Sequence, residues 1–199
     1  MGQTTVLTRR DILVAAILAL LVLILGHWRM VPEACGGYHD DAIYVITAKA
    51  LAQGLGYKLI NLPHPLFQTK YPILYPALLA AIWKVWPAFP DNLLLMKWLS
   101  VFCGAATVGL SYLYLIRFSY FPRGISVAAS LLCATSSSFL YFASQTMSEM
   151  PFALLVVWAL WSIDAYITGP DWSRTRQFLL GSCWLCPFYA GPWACPWSW

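Results

Sequence analysis

Charged residues are scarce in this chain, and their scarcity excludes most water-soluble folds. Only 10% of the 199 residues are charged, with 12 lysines and arginines against eight aspartates and glutamates, while 60% are hydrophobic. The mean hydropathy is +0.66. A soluble globular domain is about 25% charged. The composition therefore predicts an all-α membrane protein, a polytopic helical bundle whose apolar runs cross the bilayer as helices.

Basic patches and informative cysteine patterns are also missing. The lysines and arginines lie thinly along the chain, near the ends of apolar runs, so they set orientation and indicate no nucleic-acid partner. Among the six cysteines, Cys103 and Cys133 lie within apolar runs, and Cys183, Cys186 and Cys195 lie near the C-terminal end. This usage does not identify a redox compartment.

Four apolar runs have the length of a membrane-spanning helix, about 20 residues. The first follows Arg9-Arg10 and continues from Ile12 to Trp28. A cleaved signal peptide is the alternative, but it would have a shorter apolar run before a small-x-small cleavage site, so we expect an uncleaved anchor. The other runs are Leu93 to Ile116, Ile125 to Ala143 and Pro151 to Ile167.

A fifth run, Tyr71 to Trp86, decides the topology of everything after it. It is short for a span and contains Pro72 and Pro76. If it does not cross, the arginine clusters share the cytoplasmic side with the N-terminus, as the positive-inside rule prefers. We therefore expect an interfacial or re-entrant helix within one long external loop, in a plasma (inner) membrane. That topology also places Glu149 on the same side as Asp40.

An acidic pair, Asp40-Asp41, follows the first run. Adjacent acids at a membrane boundary repel each other and cost solvation, which favours a catalytic role. The stretch from Ala42 to Gln53 predicts a juxtamembrane amphipathic helix, with Tyr44 on the same side as both acids. Its apolar face consists of Ile43, Ile46, Ala50 and Leu51. The structural alternative is that the acids only cap this helix and complement its dipole.

The order of several short segments resembles the N-terminal part of the GT-C membrane glycosyltransferases, in particular the protein mannosyltransferase and lipid A aminoarabinose transferase superfamily. The resemblance extends from about Thr8 to Ile167. It rests on His39-Asp40-Asp41-Ala42-Ile43-Tyr44, on the positions Ala48, Leu51, Gly54 and Tyr57, on Lys70-Tyr71-Pro72-Ile73-Leu74-Tyr75-Pro76, and on Ser148-Glu149-Met150-Pro151-Phe152.

The resemblance implies roles for individual residues. Asp40, with Asp41 beside it, matches the acid pair whose first member is the candidate base that activates the acceptor, and Tyr44 matches a tyrosine that lines the site. Lys70 matches the lysine of a Lys-Pro-Pro segment associated with the lipid phosphate. Glu149 matches a second-loop acid that serves as a ligand or positions the acceptor.

A divalent metal is a candidate cofactor, but its ligands are not assigned. Where some members of the family have a glutamate before the lysine, this chain has Thr69, which argues against a metal site built on that acid. His39 and His64 lack the spacing of a known metal site.

The implied partners are a polyprenyl-phosphate sugar donor and the lipid bilayer, while the acceptor is unidentified. A carboxylate can take the proton of an acceptor hydroxyl or amine, and a lysine or metal can stabilise the leaving phosphate. We expect a single inverting displacement without a covalent intermediate.

Three residues have plain structural alternatives. Lys70 is explained equally well as a snorkelling interfacial lysine, and Glu149 as an acid at a helix N-terminus. Asp164, within the fourth run, reads either as part of a proton relay or as a boundary acid.

The C-terminal end breaks the pattern of the chain. Residues 177–199 are rich in tryptophan, cysteine and proline and form a poor spanning helix. We expect residues 1–176 to be the transmembrane part of a longer enzyme and the tail to be translated out of frame. A transporter or channel subunit and a non-catalytic membrane fragment are the alternatives, although no internal repeat of the kind common in transporters is detected.

Overall fold

The computed structural model describes residues 5–31, 35–37 and 40–168. This part of the chain is mostly helical, with one antiparallel pair of two-residue strands. In chain order the elements are α1 Arg9–Arg29, α2 Asp40–Ala52, β1 Lys58–Leu59, β2 Leu66–Phe67, α3 Leu74–Val85, α4 Asn92–Arg117, α5 Arg123–Thr135, α6 Ser137–Ala143 and α7 Glu149–Thr168. The expected helical bundle is confirmed at this level.

Three helices in the described ranges are long and apolar enough to cross a membrane. They are α1 with 21 residues, α4 with 26 and α7 with 20. Each contains one of the predicted runs. Helix α3, in the ambiguous fifth run, has only 12 residues. At about 1.5 Å per residue it is too short to cross a hydrocarbon core of about 30 Å.

The predicted continuous span from Ile125 to Ala143 is wrong in its shape. The chain bends by 60° between α5 and α6. Ser136 lies at the break in an extended conformation, and its N–H bonds to the carbonyl of Cys133 and ends α5. Serines favour helix ends over helix interiors because their hydroxyls compete for backbone groups. The serines at 136–138 are the local reason for the break, which hydropathy averaged over the run conceals.

Helix α1 begins three residues before the apolar run that predicted it, because a capping box defines its start. The Thr8 hydroxyl accepts the N–H of Asp11 at 3.3 Å, and Asp11 accepts the N–H of Thr8 at 2.8 Å. This arrangement satisfies two backbone donors that a helix start otherwise leaves unpaired.

Small residues bring α1 and α4 into close contact. A Cβ added at Gly109 would lie 3.3 Å from the carbonyl oxygen of Ala15, and one added at Gly26 would lie 3.0 Å from Val101. Leu18, Val22 and Val108 fill the core between the two helices. Glycine at such crossings lets helix backbones approach closely.

The two ends of the bundle carry different residues. At one end the N–H of Thr5 bonds to the carbonyl of Arg117 at 2.9 Å, and Arg123 pairs with Asp11 at 2.9 Å. At the other end the hydroxyls of Tyr44 and Ser148 lie 3.0 Å apart and join the start of α2 to the start of α7. The described arginine clusters therefore share one end, and Asp40 and Glu149 share the other, as the sequence predicted.

Hydrogen bonds from two tyrosines explain how Asp164 is accommodated within an apolar helix. Tyr114 in α4 and Tyr120 just beyond it both donate to Oδ2 of Asp164, the latter at 2.8 Å. The acid thereby ties α7 to the end of α4, which favours the boundary interpretation over a proton relay.

Candidate functional site

Asp40 lies in the first turn of α2 and is bound by a residue from a distant loop. The hydroxyl of Tyr71 donates a hydrogen bond to Oδ1 of Asp40. Tyr71 is itself held by Tyr57, whose hydroxyl donates to the Tyr71 carbonyl at 3.0 Å. The loop between α2 and α3 thus folds back over the start of α2 and places a phenol on the candidate base.

Lys70 lies next to this contact. Its ammonium is 4.7 Å from the centroid of the Tyr71 ring, a cation–π distance. Tyr71, and to a smaller extent Asp40, raise the pKa of Lys70 above its usual value, so the exposed side chain is positively charged at neutral pH. The lysine that the family resemblance assigns to the donor phosphate therefore lies one tyrosine away from the candidate base.

Tyr44 forms the wall between these residues and the helix core. Only 4% of it is exposed, and its ring meets the rings of Tyr71 and Tyr75 edge-on, with centroids 5.2 and 5.1 Å apart. Burial raises the pKa of Tyr44 to about 12. Tyr44 is therefore a protonated phenol at neutral pH, suited to lining a site and unsuited to accepting a proton.

Glu149 opens α7 on the other side of Tyr44. Its Oε2 is buried and receives no hydrogen bond from the part of the chain that the structure describes. The negative charge of Asp40 reaches Glu149, and both acids act on the phenol of Tyr44. Two carboxylates from α2 and α7 therefore lie around one tyrosine, 109 residues apart in sequence.

Asp41, the second acid of the predicted cluster, makes different contacts from Asp40. Its side chain is 3% exposed, and Oδ2 accepts the N–H of Gly36 at 2.8 Å. Its charge acts on Cys35 and on the fully buried Lys97. Successive helix residues point about 100° apart, so Asp40 and Asp41 have different neighbours. A direct catalytic role for Asp41 stays a prediction.

The packing face of α2 agrees with the predicted apolar face only in part. Ala50 is fully buried and Leu51 packs against the core, but Ile43 and Ile46 are only half buried. Tyr44, Val45 and Ala48 form the rest of the face that packs with α3.

Sequence reasoning missed Tyr71, Tyr57 and Ser148 as parts of the site. All three belong to the residues that carry the family resemblance, and Tyr71 occupies a position where the family pattern has proline. This difference from the family pattern could have identified Tyr71, because a tyrosine hydroxyl can donate a hydrogen bond to a carboxylate and a proline side chain cannot.

A metal centre finds little support among the described residues. Within residues 5–31, 35–37 and 40–168 no three histidine, cysteine, aspartate or glutamate side chains come together in a way that would hold a metal ion. Asp40 and Glu149 are the only two acids of the site in this part of the chain.

No known family model, curated protein or solved structure matches this chain. The likeness to GT-C enzymes therefore rests on the quoted segments alone. The atypical tail, residues 177–199, lies outside the described residues.

Proposed function

We propose that the chain is the N-terminal part of a membrane glycosyltransferase that moves a sugar from a polyprenyl-phosphate donor to an acceptor at the external face of the membrane. The N-terminus lies in the cytoplasm, and the candidate spans form a polytopic bundle in a plasma (inner) membrane. One observation carries the proposal: Asp40, Lys70 and Glu149, from three separate segments, meet around Tyr71 and Tyr44 at one end of the bundle.

The residues divide the chemistry between them. The acceptor hydroxyl or amine attacks the anomeric carbon and loses its proton to Asp40. The bond between that carbon and the phosphate oxygen breaks, and the phosphate leaves with the electron pair. Lys70, exposed and positively charged, stabilises the negative charge of the phosphate. Glu149 positions the acceptor from the other side of Tyr44.

The position of the site suits a lipid-linked donor. Helix α3 is apolar and too short to span, and it packs with α2 against the candidate span α4. A polyprenyl tail remains in the bilayer, so its phosphate reaches a protein group only near the membrane surface. A site built where short helices meet the end of a span fits this requirement.

The test is sugar transfer by the reconstituted chain. The protein in proteoliposomes receives a panel of radiolabelled polyprenyl-phosphate sugars with protein, lipid and glycan acceptors, and labelled product is counted. Asp40→Asn removes the base and lowers transfer by about 100-fold or more, since general base catalysis contributes about 10²–10⁴. Asp91→Asn is the matched control, because Asp91 is exposed and its side chain makes no cap hydrogen bond to α4. Full transfer by the Asp40→Asn protein would remove Asp40 as the base.

The predicted truncation has its own test. Resequencing the codons for Gln177 to Trp199 and translating all three frames downstream reveals whether another frame continues with apolar helices. If one does, transfer is measured on that longer chain as well. A genuine stop with no coding sequence beyond it would contradict the out-of-frame prediction.

A further inference from the structure

A polar cavity lies at the end of the bundle opposite the candidate site. It has a volume of about 550 Å³ and is open to solvent between the starts of α1 and α5, against α4. Arg10, Arg123 and Tyr112 line it together with the apolar side chains of Val14 and Val127. Its volume far exceeds that of a single water, about 30 Å³. The proposed transfer reaction uses none of these residues.

Tyr112 indicates that this cavity takes a polar ligand. The residue is 1% exposed, yet its hydroxyl makes no hydrogen bond with the part of the chain that the structure describes. The charges of Asp11 and Arg123 both act on this phenol, which places it at the polar wall of the cavity. Because Tyr112 lines the cavity, its hydroxyl is available to donate a hydrogen bond to a ligand there.

The charge of the cavity favours an anion. Asp11 is the acid in its wall, and both of its oxygens are already engaged: Oδ1 by Arg123 at 2.9 Å, and Oδ2 by Arg123 at 3.1 Å and by Thr8 at 2.7 Å. The exposed Arg10 has no ion pair or hydrogen bond within the described ranges. One positive charge is therefore left over, beside an arginine whose side chain is still 53% exposed.

Helix α5 adds backbone donors to the same wall. Pro122, the residue before it, provides no side-chain cap, and the first bond within the helix is the N–H of Ser126 to the Pro122 carbonyl. The N–H groups of Arg123, Gly124 and Ile125 precede that bond and have no partner within the helix. Arginine side chains and free helix N-termini are the protein groups that bind phosphate best.

We propose that this cavity binds the phosphate of an anionic lipid headgroup. Arg10 and the start of α5 hold the phosphate oxygens, Tyr112 donates its hydroxyl, and Val14 and Val127 contact the apolar part of the lipid. The lipid is the expected source because the cavity opens where two candidate spanning segments begin, at headgroup depth. Free phosphate has the same binding chemistry and is the competing source.

Native mass spectrometry of the full chain in detergent tests the site with dioleoyl phosphatidic acid as the probe and the zwitterionic phosphatidylcholine as the comparison. We expect phosphatidic acid to bind at least tenfold more tightly. Arg10→Gln lowers its affinity about tenfold and Tyr112→Phe about fivefold. Arg9→Gln, which removes the neighbouring exposed arginine outside the cavity wall, changes it less than twofold.

Three outcomes would overturn the proposal. Equal losses in the Arg9→Gln and Arg10→Gln proteins mean that lipid binding depends only on surface charge. Unchanged binding by the Tyr112→Phe protein means that the buried phenol does not meet the ligand. Displacement of phosphatidic acid by millimolar inorganic phosphate, with the same dependence on Arg10, replaces the lipid by free phosphate. None of these measurements depends on sugar transfer, so they test the lipid site independently of the proposed transferase activity.

Discussion

Tyr71 is the residue that gives the candidate base its orientation. Its hydroxyl donates a hydrogen bond to one oxygen of Asp40, and its ring makes a cation–π contact with Lys70. Its carbonyl accepts a hydrogen bond from Tyr57. A carboxylate with one oxygen bound to a donor points its other oxygen in a defined direction, and catalysis depends on such positioning. Burial and the contact with Asp40 raise the pKa of Tyr71, so it remains a hydrogen-bond donor at neutral pH.

The Tyr71→Phe substitution separates orientation from binding. It removes the hydroxyl and keeps the ring under Lys70, so we expect kcat to fall about tenfold, equivalent to about 1.4 kcal/mol, with the KM for the lipid donor unchanged. Tyr120→Phe is the matched control, since it also removes a tyrosine hydrogen bond to an aspartate, at 2.8 Å, but at the other end of the bundle. Steady-state kinetics with varied donor concentration distinguishes the two parameters.

The contact between α1 and α4 leaves little space between the two backbones. Gly109 faces the carbonyl oxygen of Ala15, and a backbone atom cannot move aside as the end of a flexible side chain can. A methyl group there has to push the two helices apart. Close packing of this kind stabilises helices in a bilayer, where no hydrophobic effect drives them together.

Gly109→Ala therefore destabilises the bundle by about 1–3 kcal/mol, the usual cost of overpacking. Gly124→Ala is the control, because an added Cβ meets nothing within 4 Å and alanine favours a helix. Thermal unfolding in detergent, followed by circular dichroism, measures both. A Gly109→Ala protein as stable as the original would show that α1 and α4 do not pack as described.

The bend between α5 and α6 is also a property of individual helices. Hydropathy treats residues 125–143 as one run, whereas the backbone turns by 60° at Ser136. By length and composition, the described residues contain three candidate crossings, or four if the bent pair is one broken crossing and not a re-entrant segment.

For the whole molecule, the separation of the two ends leads to a topology prediction. Arg10, Arg117 and Arg123 lie with the proposed phosphate site at one end, called here the arginine end, and the Asp40 site and Arg29 lie at the other. Under the positive-inside rule the arginine end faces the cytoplasm. The loop around His64 then faces outward, and the turn after α4 faces inward.

Single cysteines at exposed positions, in a variant whose native cysteines are replaced, test this orientation. A membrane-impermeant maleimide should label the His64→Cys protein in intact cells and the Ser119→Cys protein only after permeabilisation. The two variants serve as controls for each other. Labelling of both from outside would place the two ends on one side of the membrane and contradict the proposed topology.

Local features of the sequence predicted much of the fold. Run length and apolar content located α1, α4 and α7, the periodicity after Asp40 located α2, and the prolines before and within the fifth run agreed with the short α3. These properties belong to consecutive residues, and a helix forms from consecutive residues through its own backbone bonds. The same local information placed Asp40, Tyr44, Lys70 and Glu149 as site candidates, through their resemblance to family segments.

Tertiary structure alone decided which of those candidates meet. Asp40 accepts a hydrogen bond from Tyr71, whereas Asp41 accepts one from the N–H of Gly36, because neighbouring helix positions point in different directions. The hydrogen bond between Tyr71 and Asp40 joins residues 31 positions apart. The sequence determined the helices and the chemical groups they carry, and the packing of α2 and α3 on α4 determined which groups share a site, since such contacts depend on parts of the chain that are distant in sequence.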